Sequence, residues 1–129
     1  MPYPDYGNIG DARERRNQGD ILEFWDYHRT MLEEIEKAIP NLDPDLRAIT
    51  GFSNGAHTIS EYCIQPDDFL TRFNVFVFGD GGSVRSNDPQ WRKSDFEGKW
   101  AYCCWGETSP NKNMTIFTAE LAEGAGMHV

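Results

Sequence analysis

The chain has 129 residues, 39% of them hydrophobic and 13% aromatic, and carries a formal net charge of −9 at pH 7. That length predicts one domain with a modest core, and the acidic balance argues against a nucleic-acid backbone or an anionic membrane surface as partner. No apolar run is long enough to span a bilayer, and Met1-Pro2-Tyr3-Pro4-Asp5 has neither the basic nor the apolar region of a signal peptide, so a cytoplasmic location is expected.

Residues 1–19 are punctuated by Pro2, Pro4, Gly7, Gly10 and Gly19 and read as an irregular segment. Asp20 to Ile39 predicts an amphipathic helix. Ile21, Phe24, Trp25, His28, Leu32, Ile35 and Ile39 recur three or four apart and form one stripe. Asp20 can cap it, with Glu23 three residues on, and Pro40 stops it. Near that stripe, His28 reads as a packing residue.

Asp45–Phe52 is a predicted strand and Gly55–Gln65 a predicted helix. Phe73–Phe78 is a second strand whose apolar composition suits a sheet covered on both faces. The glycine-rich run Gly79–Ser83 follows it. Residues 83–98 are a polar excursion in which Trp91 and Phe96 could supply an apolar cover over a site. Trp100–Trp105 is a third strand, Gly106–Asn111 its exit loop, and Lys112–Gly124 a last helix. Met127-His128-Val129 opens one more strand. This alternation predicts an α/β fold: a small parallel β-sheet flanked by helices, joined by right-handed crossovers, in a single domain over 20–129.

Cys63, Cys103 and Cys104 are an odd set with two adjacent in an apolar strand, which predicts reduced thiols. The three histidines and three cysteines show no metal-ligand spacing, and no cofactor is implied.

The chemistry concentrates at Gly51-Phe52-Ser53-Asn54-Gly55, a G-x-S-x-G run between a predicted strand and a predicted helix. In that context the serine sits on a sharp turn, the nucleophile elbow, with its hydroxyl lifted clear of the sheet. The turn requires small residues two before and two after the serine, which Gly51 and Gly55 supply. The amide of Asn54, at the start of the helix, is the expected oxyanion-hole donor. Functional residues of parallel sheets gather at the carboxyl ends of strands, and the three strands end near Ser53, Asp80 and Glu107. His57, one helical turn past Ser53, reads as a packing histidine ahead of a base. The run Gly79-Asp80-Gly81-Gly82 lacks the lysine and spaced glycines of a P-loop.

Taken with Phe-Val-Phe-Gly-Asp-Gly-Gly at 76–82, Tyr-Cys-Cys-Trp-Gly-Glu-Thr-Ser-Pro at 102–110 and the closing helix, the elbow resembles the C-terminal half of an α/β-hydrolase of the esterase or lipase-like kind. The resemblance spans about residues 20–129. It implies part of a three-layer sandwich, Ser53 as nucleophile, a small-molecule ester as substrate and a carboxylate–histidine pair to activate the serine. The family's acid usually follows the strand ending here at Trp105, where Ser109 stands in its place, so Glu107 or Asp80 is the candidate acid. The family's histidine follows one more strand than this sequence contains, and the early strands are absent too. Two expectations follow: an incomplete serine esterase, or a non-catalytic relative that binds a ligand or self-associates through exposed sheet edges.

Overall fold

The structure is a computed structural model that describes residues 20–62, 69–87 and 89–129. The irregular reading of 1–19, the reduced state of Cys63 and the side chains of Ile21, Phe24 and Trp25 lie outside the described residues. The chain falls into two compact units, Met1–Leu42 and Asp43–Val129.

The first unit contains helix α1, Asp20–Ala38. Its polar face carries the i,i+3 ion pairs Asp26–Arg29 and Glu34–Lys37, each 2.7 Å, which are exposed and contribute little. Met31, Ile35 and Ile39 lie along one exposed apolar stripe. His28 stands edge-on to Tyr27, with ring centroids 5.6 Å apart.

The second unit is a three-stranded sheet, β1 (Ala48–Phe52), β2 (Val75–Gly79) and β3 (Trp100–Cys104), in the order β1-β2-β3. Both pairings are parallel. Helix α2 (Asn54–Tyr62) leaves β1, the short α3 (Lys93–Phe96) precedes β3, and α4 (Lys112–Gly124) follows it. A single parallel bridge from Trp100 to His128 begins a fourth strand beside β3. The fold class is α/β. β1 is shorter than its sequence suggests because Asp43 folds its first residues into a turn, with the Asp45 amide donating to Asp43 Oδ1 at 2.8 Å.

Side chains alternate across the sheet. Ile49, Phe76, Phe78 and Ala101 point to the helical side; Phe76, Phe78 and Ala101 are buried there. Trp91 and Phe96 complete that core, with ring centroids 5.7 Å from Phe78 and 5.6 Å from Phe76 respectively. They are core, not an apolar cover over the strand ends, because the excursion folds back beneath β2 and puts both rings against it.

The opposite face carries three levels in register: Ala48, Val75 and Trp100; Thr50, Val77 and Tyr102; Phe52, Gly79 and Cys104. On the two outer strands these residues are exposed. The cover expected on both faces is therefore present on one in this unit, among the described residues. The cause is topological: right-handed crossovers between strands laid down in sequential order all fall on the same side.

Candidate active site

Ser53 lies between the last residue of β1 and the first of α2, with φ of +51°. A left-handed φ is costly for a side-chain-bearing residue and persists only where the surroundings enforce it. The enforcement is visible. The Ser53 amide donates to the Gly79 carbonyl at 2.7 Å, and the Ser53 carbonyl accepts from the His57 amide at 3.0 Å. The chain is thus held by β2 on one side and by the first turn of α2 on the other.

Gly51 makes the turn possible. A Cβ there would stand 2.4 Å from the Gly55 carbonyl carbon and 2.5 Å from the Ala56 nitrogen, far inside contact distance. The collision expected at Gly55 does not occur, since a Cβ on Gly55 meets nothing within 4 Å. Only the first glycine is sterically required; at the second position, it is backbone that Gly51 approaches.

The end of β2 is held as tightly. Asp80 also has a left-handed φ, +49°. Its amide donates to the Cys104 carbonyl at 2.8 Å, and its carbonyl accepts from Asn111 Nδ2 at 2.9 Å. Gly81 packs under Ser53, where a Cβ would lie 2.4 Å from the Ser53 carbonyl oxygen. Gly82 has φ of +148° and leaves room for Thr118, whose Oγ1 would otherwise meet its Cβ at 1.9 Å. Thr115 Oγ1 donates to the Gly81 carbonyl at 3.1 Å, and the Ser83 amide donates to Thr118 Oγ1 at 2.8 Å. Helix α4 therefore clamps the loop that runs beside the serine. Asn111, Thr115 and Thr118 were not legible as site residues; a threonine pair one turn apart is the only trace they leave in the sequence.

Because Ser53 follows Phe52 and Asp80 follows Gly79, and those two residues are register partners, serine and aspartate are neighbours across one strand spacing, about 5 Å in backbone terms. Asp80 Oδ1 is buried without a hydrogen-bond partner among the described residues. Glu107 is exposed, in the turn after β3 closed by the Ser109 amide on the Gly106 carbonyl at 3.0 Å. Ser109, where the family's acid would stand, accepts from the Asn111 amide at 3.0 Å and shapes the entry to α4. Asn54 is the first residue of α2, and its carbonyl accepts from Thr58 Oγ1 at 2.8 Å.

His57 is half-buried and hydrogen-bonded to the Gly82 backbone; burial lowers its pKa, and that bond opposes the shift in part. Its ring ties α2 to the 80–83 loop. His128 pairs with Trp100, the first residue of β3, so it stands at the opposite end of the strands from Ser53 and three strand spacings across the sheet, roughly 20 Å away. Among the described residues of this unit, neither His57 nor His128 makes a hydrogen bond to the Ser53 side chain. An open groove of about 450 Å³ runs between Val84–Ser86 and α4, floored by Met114 and Phe117, with Arg85 stacked 4.1 Å over the Phe117 ring. None of Ser53, Asp80 and Glu107 lines it.

Among the described residues no cluster of three His, Cys, Asp or Glu side chains could hold a metal, and no helix is long and apolar enough to cross a membrane. Compared with protein-family models, with curated proteins and with solved structures, the chain matches none.

Proposed function

We propose that this chain carries the nucleophile side of an α/β-hydrolase-like serine esterase acting on a small-molecule ester. The observation that carries the reading is Ser53 at φ +51° on a strand–turn–helix elbow whose Gly51 touches the backbone of Gly55 and Ala56. Strain of that kind, enforced from two sides on a strand-to-helix turn, supports a serine presented as in a nucleophile elbow.

In this reading Ser53 Oγ attacks the ester carbonyl carbon while a histidine accepts its proton. The negative oxygen of the tetrahedral intermediate is held by the Asn54 amide. Collapse expels the alcohol, which takes the proton back from the histidine, and water repeats the sequence to release the acid and free Ser53. Asp80 is the better-placed acid: it adjoins Ser53 and presents a buried carboxylate oxygen with no described partner, whereas Glu107 is exposed. In this reading the histidine is supplied by residues not in this sequence or by a partner.

Intact-mass labelling with a fluorophosphonate, beside a Ser53→Ala control, tests the proposal. A stoichiometric adduct that the control lacks supports a working nucleophile. The absence of an adduct on folded protein favours the second reading, a non-catalytic relative, which draws its support from His57 being turned to Gly82.

A further inference from the structure

The sheet face that no described residue of the second unit covers has a shape that fits itself. Its three levels contain no charged residue, in a chain where 26% of residues are charged. Phe52, Tyr102 and Trp100 are 72%, 57% and 50% exposed on it. Gly79 confirms that the third level shares one surface, since a Cβ on it would lie 3.1 Å from the Phe52 ring and 3.8 Å from Cys104 Sγ. Parallel sheets are stable when both faces are covered, and an apolar patch of this kind marks an interaction surface.

Large and small residues are distributed unevenly across the outer strands. At every level one outer strand carries a ring and the other a small side chain: Trp100 with Ala48, Tyr102 with Thr50, Phe52 with Cys104. A two-fold axis running along β2 lays β1 of one copy over β3 of the other without changing level. Each ring then stands opposite a small residue of the second copy, and the valines and Gly79 of the two middle strands face each other. The sheets lie aligned, as stacked sheets do. We propose that this face is the interface of a homodimer, with the occupant a second copy of this chain.

The size agrees with a modest association. At about 150–250 Å² per whole aromatic side chain, the exposed parts of the three rings come to roughly 270–450 Å² per copy. With the small residues between them a pair buries about 1,000 Å², the lower limit of a specific interface. The dimer is therefore concentration-dependent. His128, whose ring packs 4.7 Å from Trp100, sits at the rim.

Sedimentation velocity of the full chain from about 5 to about 500 µM should show the mass climbing from one chain to two. Ala48→Trp, which fills the space opposite Trp100, should hold the protein at single-chain mass over that range. The double variant Ala48→Trp/Trp100→Ala restores a large residue opposite a small one and should dimerise again. Because Ala48 and Trp100 are both exposed, circular dichroism should find all three proteins folded. A measurement that needs no variant is maleimide labelling of Cys104, read by peptide mass, which should slow several-fold at the higher concentration. Single-chain mass at every concentration overturns the proposal, as does a dimer indifferent to Ala48→Trp, or Cys104 labelling independent of concentration.

Discussion

Gly51 and Gly55 occupy symmetric places in the motif and unequal places in space. An added methyl at Gly51 has to displace backbone at 2.4–2.5 Å, which neither a rotamer change nor side-chain repacking can relieve. Gly51→Ala should therefore cost at least about 2 kcal/mol, at the upper end of overpacking penalties. Gly55→Ala meets open space within α2 and should be neutral or stabilising by up to about 1 kcal/mol, from the higher helix propensity of alanine. Urea denaturation of the two variants separates these outcomes. An equal loss in both would mean that the turn is not held as described.

At the scale of elements, the excursion between β2 and β3 has a different role from the one its polar sequence suggests. Trp91 and Phe96 are buried, 5.6 Å apart, and each packs on a phenylalanine of β2. The segment is one wall of the core. Trp91→Ala should cost about 3–5 kcal/mol, as large-to-small core changes do, and leave any reaction of Ser53 with a phosphonate unchanged in folded protein. A residue lying over the active site would show the reverse: little loss of stability and an altered labelling rate. The loop Asp80–Ser83 is likewise defined by a partner distant in sequence. Its bonds to Asn111, Thr115 and Thr118 span 31 to 35 residues, beyond the reach of any local pattern.

For the molecule as a whole, two half-buried groups set opposite limits on stability with pH. His57 has its pKa lowered by burial. The unfolded chain then binds a proton at higher pH than the folded one, so stability is full above the ordinary value near 6.5 and falls as pH drops through it. Cys103 has its pKa raised to about 11, first by burial and then by the neighbouring Cys104. Its contribution is full below the ordinary thiol value and is lost as pH rises toward 11. Thermal melts from pH 5 to pH 11 should show both limbs. His57→Gln should flatten the acid limb and Cys103→Ala the alkaline one; an unchanged acid limb in His57→Gln would assign that loss to another group.

Local pattern determined the element types and their order, because apolar periodicity and glycine or proline punctuation are properties of adjacent residues. It located the elbow for the same reason, since strand, turn and helix are contiguous there. It also placed Ser53, Asp80 and Glu107 at strand ends. Tertiary structure decided which of these end up side by side. The register of β1 on β2 sets Asp80 next to Ser53 and leaves Glu107 two strands away, exposed. His57 turns to Gly82 through a contact between segments 25 residues apart in sequence. The open face was hidden for a physical reason as well. The alternation in β2 marks two sides of a strand, but only the handedness of the crossovers and the order of the strands determine which side receives the helices.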